Sequence, residues 1–106
     1  MVSFNSFKEL DIRIAKIIDV QDHPQADRLY ILKIDLGNKQ KQIVAGIKSS
    51  YSKEELLGQL IVVIDNLEPA TIRGIKSEGM LLAIDDKEGP VLIIPQRRVE
   101  IGSKVK

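Results

Sequence analysis

Cysteine is absent from the chain, and histidine occurs once, at His23. The first absence removes disulfides, thiolate nucleophiles and Cys-based zinc sites together. The second removes multi-histidine metal sites and, with no cysteine, the usual nucleophilic triads. Aromatic residues make up only 4% of the chain (Phe4, Phe7, Tyr30 and Tyr51), and tryptophan is missing. Proteins that hold extended single-stranded nucleic acid stack its bases on aromatic side chains, so that mode is poorly provided for. The longest unbroken apolar runs, residues 60–64 and 80–84, are five residues each. A bilayer helix needs about 20. The first residues lack the basic stretch and apolar core of a signal peptide. Neither sign of charge is in excess, with 16 basic against 15 acidic residues and a net charge of +1. Histone-like binding through bulk positive charge is therefore excluded. No Walker-type phosphate loop, GxGxxG or GxSxG occurs. We expect a soluble, cytoplasmic protein that is not an enzyme and carries no cofactor and no metal.

What is present is an ordinary globular balance, 43% hydrophobic and 29% charged over 106 residues, which makes one domain. The charges are unevenly spread. Residues 37–53 hold four lysines (Lys39, Lys41, Lys48, Lys53) and no acid, while residues 54–70 hold four acids and no base.

Strand periodicity dominates. Tyr30, Leu32, Ile34 and Leu36 alternate with Ile31, Lys33 and Asp35, which sets Lys33 on the outer face. Ile12, Ile14, Ile18 and Val20 give the inward phase of an earlier strand, with Lys16 breaking it at a bulge or bend. Residues 40–45 form a third strand, joined to the second by Gly37-Asn38-Lys39. Ser52 and Glu55 have capping-box spacing, so a short helix runs through Leu56 and Leu57 to Gly58. Residues 60–65, 80–85 and 90–94 complete the strands. Three strands, a short helix and two more strands is the order of an all-β OB-fold, a five-stranded Greek-key barrel. A β-sandwich would want about seven strands. The barrel takes residues 10–86. Residues 87–106 form a C-terminal extension whose Val91, Leu92, Ile93, Ile94, Val99 and Ile101 are covered by the barrel or by a second subunit.

OB barrels bind across strands two and three, between the loops that flank them. Here those loops are residues 21–28 and 66–77. The second offers Asn66 as an amide reader and Arg73 and Lys76 as phosphate partners, with Gly74 allowing close backbone approach. His23, followed by Pro24, reads as a turn residue. Asp85-Asp86 could be half of a carboxylate pair in a small hydrolase, but a hairpin turn explains it better, and Gln96-Arg97-Arg98 reads as a solvated turn. With few aromatics, folded RNA recognised through shape and phosphates suits this surface better than a single strand. Met80 shares the phase of Leu82 and Ile84 on the fifth strand, the pattern of a core residue.

Several spaced motifs then fall into a known order. They are residues 11–17 (DIRIAKI), 23–30 (HPQADRLY), 32–37 (LKIDLG), 42–46 (QIVAG), 66–69 (NLEP), 72–74 (IRG) and 77–80 (SEGM). The whole chain resembles the tRNA-binding domain found at the C-terminus of many methionyl-tRNA synthetases, which also occurs as a separate β subunit and as a stand-alone tRNA-binding protein. The resemblance implies an OB fold, binding of folded tRNA with little sequence preference, and a homodimer built with the C-terminal extension. It also implies partnership with a methionyl-tRNA synthetase catalytic subunit. The family's tRNA-facing motif maps onto Ser77, Glu78, Gly79 and Met80, and Lys33, Arg73 and Lys76 match family positions as well. A protein-export chaperone family shares the opening motif and size but departs around residues 77–80, so polypeptide binding on the same fold ranks second.

Overall fold

Two helices and ten strands follow one another in the computed structural model, which describes residues 1–106. They are α1 (Phe4–Lys8), β1 (Ile12–Asp22), β2 (Tyr30–Asp35), β3 (Gln40–Ala45), α2 (Lys53–Leu56), β4 (Leu60–Ile64), β5 (Ala70–Ile72), β6 (Ile75–Ser77), β7 (Met80–Leu81), β8 (Ala83–Asp86), β9 (Gly89–Leu92) and β10 (Lys104–Val105). One antiparallel sheet runs β3-β2-β1-β4-β7, with β10 added to β1. Curled on itself, it makes the OB-type barrel. The pairs β5–β6 and β8–β9 stand outside it as separate hairpins.

The alternation in β2 sends Tyr30, Leu32 and Ile34 inward and leaves Lys33 exposed. They join Ala15, Ile17, Val20, Ile43, Ala45, Ile47, Ile61 and Val63 in the core. Leu56 on α2 is fully buried there and corks one end. Each buried Val, Leu or Ile among them contributes about 1.5–3 kcal/mol on burial. The capping box that holds α2 is complete: Ser52 Oγ accepts the Glu55 amide at 3.2 Å, and Glu55 Oε1 accepts the Ser52 amide at 2.8 Å.

β1 corrects the expected phase. Its register with β2 slips between Ile17 and Asp19, after Lys16 rather than at it. Odd residues Ala15 and Ile17 face the core before this bulge, and even Val20 faces it afterwards. Ile12 and Ile14 lie on the outer face, buried with Val62 and Ile64 under Leu10, Leu60, Leu82 and Val105. Ile18 is only half-buried. A strand apolar on both faces carries no parity signal that periodicity can read.

The fifth strand also differs from its expected extent. It breaks at Leu82, so β7 belongs to the barrel while β8 turns away to pair with β9. The C-terminal segment then returns to the wall of β1. Gly102 donates to the Ile14 carbonyl at 2.8 Å, Ile14 donates to Ser103, and β10 pairs with Ile12 and Arg13. Leu92 is buried in the core, whereas Ile84, Val91, Ile93, Ile94 and Val99 stay exposed.

Candidate nucleic-acid interface

The long loop 66–77 is built around a hairpin. β5 and β6 pair across Arg73-Gly74, whose φ angles are +50° and +85°. Two successive positive φ values make the primed turn that suits the twist of a two-residue hairpin. A non-glycine residue in this region costs on the order of 1–2 kcal/mol. Arg73 thus keeps a cation at the tip against the local preference for glycine or asparagine.

Below the hairpin, residues 77–79 run along the free edge of β3. Ser77 Oγ accepts the Val44 amide at 3.0 Å and donates to the Gly79 carbonyl at 3.1 Å. The Glu78 amide donates to the Gln42 carbonyl at 2.8 Å, and Glu78 Oε1 accepts the Gln42 amide at 3.1 Å. Gly79 packs so closely that a Cβ there would sit 3.0 Å from the Ile64 carbonyl. Gln42 also donates from its side chain to the Lys76 carbonyl at 2.9 Å. Because Gln42 pairs with Lys33 across β2–β3, Lys33 and Lys76 flank one glutamine.

The second flanking loop reaches the same hairpin. His23 is 5% exposed. Its Nδ1 accepts the Gln25 amide at 3.0 Å, so Nε2 carries the hydrogen and donates to the Ile72 carbonyl at 3.0 Å.

Electrostatics divide the cations into two sets. All four lysines of residues 37–53 are ion-paired. Asp65 holds Lys39 at 2.8 Å and Lys41 at 2.7 Å; Asp22 holds Lys48 at 3.0 Å and Lys53 at 3.1 Å. Lys41 also donates to the carbonyls of Asp65 and Glu78 at 2.7 and 3.3 Å. Burial pushes the Asp65 carboxyl up, but hydrogen bonds from Lys39 and Lys41 outweigh this and hold it below the usual carboxylate value. Hydrogen bonds from Lys48 and Lys53 likewise lower exposed Asp22. Lys33, Arg73 and Lys76 are exposed and belong to none of the ion pairs.

The expected site residues therefore separate by role. Lys33, Arg73 and Lys76 are exposed and unpaired. Met80 lies on β7 with its side chain 49% exposed, which removes the core alternative; Leu82, which shares its phase, packs against the outer cluster of β1 and β4. Ser77 and Glu78 turn their side chains inward as a clasp, with Gly79 beneath them. Asn66 is engaged elsewhere: its Nδ2 donates to the Glu9 carbonyl at 2.7 Å and its Oδ1 accepts the Asp11 amide at 2.8 Å. Sequence reasoning passed over Asp65, Gln42 and the cross-loop bond of His23. An acid closing the apolar run Leu60–Ile64 was the available signal, but nothing local points to its lysine partners.

Other features fall away from this surface. Asp86 accepts the Glu88 amide at 3.2 Å in the β8–β9 turn, and no three His, Cys, Asp or Glu side chains group to hold a metal ion. Arg97 and Arg98 line an open groove of about 440 Å³ with Glu55, Leu57 and Leu60, containing none of the expected site residues. No helix is long and apolar enough to cross a membrane.

An antiparallel barrel with a helix between its third and fourth strands, and unpaired cations beside the loop after the fourth, defines an OB-type binding domain. A family model described as "Putative tRNA binding domain" matches residues 12–104. The chain belongs to this tRNA-binding domain family. It is 56% identical over 106 residues to a methionine–tRNA ligase of Nanoarchaeum equitans, covering 100% of this chain and 14% of that protein. The chain thus spans about one-seventh of the length of that relative. Among solved structures, a MetRS-related protein from Pyrococcus horikoshii superposes with a TM-score of 0.92 at 26% identity, covering 100% of this chain and 98% of that one. The CsaA chaperone protein of Picrophilus torridus superposes with a TM-score of 0.94 at 32% identity, each chain covered completely.

Proposed function

We propose that the chain is a non-catalytic module that binds folded tRNA through phosphates and serves a methionyl-tRNA synthetase as accessory domain or β subunit. The observation that carries this is the set of unpaired cations, Lys33 and Lys76 flanking Gln42 and Arg73 at the hairpin tip, while neighbouring lysines are held by carboxylates. Met80 adds an adaptable contact to a ribose or base. Ser77, Glu78, Gly79 and Asn66 act as frame. Phosphate contacts position RNA without reading its sequence, which suits a module serving many tRNAs. Held near a catalytic subunit, it raises the local tRNA concentration, lowering the KM for tRNA and leaving kcat unchanged. Ile84 and Val91 lie directly opposite each other on β8–β9. With Ile93 and Ile94 they give an exposed apolar face for a homodimer, whose interface buries about 1,600 Å² in total at ordinary size.

The likeness to CsaA supports a second reading, polypeptide binding by the same apolar face. A gel-shift titration with folded tRNA, heat-unfolded tRNA and a denatured protein separates the two. Binding to folded tRNA is expected; binding to the denatured protein alone overturns the proposal. Light scattering is expected to give twice 11.9 kDa at micromolar concentration, and Ile93→Asp to return it to the monomer.

A further inference from the structure

We infer that His23 is a positioning residue for RNA binding, acting through Arg73 by fixing the hairpin that carries it. The inference rests on the tRNA reading above and names a device that reading lacks.

The hairpin is attached to the barrel unequally. Its inner strand, β6, is held to β3 by Ser77 and by the Gln42 side chain. Its outer strand, β5, pairs only with β6. The one hydrogen bond from β5 to the rest of the molecule runs from His23 Nε2 to the Ile72 carbonyl at 3.0 Å, one residue before Arg73. Without it the hairpin pivots on the β3 clasp, and the tip, farthest from that clasp, moves most.

His23 suits this task because its own place is fixed from three sides. Its amide donates to the Leu29 carbonyl at 3.1 Å, and Leu29 donates to Ala26 at 3.3 Å, closing the 23–29 loop on itself. The Gln25 amide donates to Nδ1, which selects the tautomer with hydrogen on Nε2. Burial keeps water from replacing the cross-loop bond. The two loops that flank the binding face are therefore locked together by a buried imidazole. A flexible cation loses conformational freedom on meeting a phosphate, and one already placed loses less.

Two substitutions divide the imidazole's bonds. Gln places an amide nitrogen near the position of Nε2 and keeps the donor to Ile72; Asn keeps an acceptor near Nδ1 for Gln25 but falls short of Ile72. His23→Gln is expected to bind tRNA within about twofold of wild type. His23→Asn is expected to bind about three- to tenfold more weakly, the scale of one hydrogen-bonded contact. It should also show a shallower salt dependence, as is expected of Arg73→Ala. In an Arg73→Ala background, His23→Asn should cost nothing further, because an absent arginine cannot be misplaced. A generally loosened protein would lose affinity in that background too, so this arm separates positioning from folding. Equal binding by the Asn variant and wild type, equal weakness of the Gln and Asn variants, or an additive double variant would overturn the inference. Failure of the wild type to bind folded tRNA would instead overturn the function on which it rests.

Discussion

Seven basic side chains surround β2, β3 and the β5–β6 hairpin, and they fall into two groups that no composition distinguishes. Lys39, Lys41, Lys48 and Lys53 sit in a stretch without acids, yet each is matched to Asp65 or Asp22 brought in from elsewhere in the chain. Lys33, Arg73 and Lys76 have acids or polar residues near them in sequence but none paired with them in space. The richest lysine run in the sequence is thus structural, and the sparser set is the one left open to an anion. Local charge density is a poor guide to a phosphate surface unless the long-range partners are known.

The sharpest way to break the comparison is at Asp65, 7% exposed. Asp65→Asn leaves the Lys41 ammonium, which is itself largely covered, with carbonyl partners alone. Stripping one member from a buried pair costs about 3 kcal/mol, to be read as a lower urea midpoint. The same site carries a pH signature. Its carboxyl is held below the usual value in the folded state, so its stabilisation is fully present above the ordinary carboxylate pKa of about 4 and is lost as pH falls through the lower folded value. The gap in midpoint between wild type and Asp65→Asn should stay constant from about pH 5 to 8 and close below about pH 4.

The opposite pattern belongs to the unpaired set. Lys33→Ala, Lys76→Ala and Arg73→Gly should each weaken tRNA binding by a similar factor across tRNA species. Each should lower the slope of log affinity against log salt by about one unit at most. Lys33→Ala and Lys76→Ala should leave the unfolding free energy, read from urea titration, within about 0.5 kcal/mol of wild type. Arg73→Gly should raise it, since glycine relieves the left-handed backbone at the tip by about 1 kcal/mol. A variant both more stable and weaker in binding would mark Arg73 as retained for its charge.

Met80→Ala should reduce affinity with the salt slope unchanged, because its contact is apolar, and should move the melting point little, given its exposure. The smallest effects should come from Lys48→Ala and Lys53→Ala. These partners of the exposed Asp22, Lys48 half-buried and Lys53 exposed, should alter neither tRNA affinity nor the urea midpoint measurably. A loss of binding there would erase the division between the two sets.

Much of the barrel was readable because its signals are local. The Tyr30–Leu36 alternation, the Gly37-Asn38-Lys39 turn and the Ser52–Glu55 capping box each need fewer than ten residues to be recognised. β1 was misread because both its faces are apolar and its bulge flips the parity of the inward residues. The hairpin within 66–77 has three residues per strand, too few for a period to show. At the candidate site, Arg73 and Lys76 could be picked out by their loop. Asn66 shows the limit of such reasoning, since an amide suited to reading a base is here spent on the chain's own residues 9 and 11. Ser77 and Glu78 show the same limit, their polar atoms turned to β3.

That clasp on β3 also bears on how the molecule behaves in a crowd. An open sheet edge offers a row of amides and carbonyls on which a foreign strand can grow, the first step toward fibres. On β3 the outward amides of Gln42 and Val44 are already taken by Glu78 and Ser77, and the Gln42 carbonyl by the Glu78 amide. No extended peptide can be added there without first prising that segment off. Along β3 the barrel is therefore guarded against edge-to-edge assembly, since a foreign strand would find the Gln42 and Val44 amides already engaged.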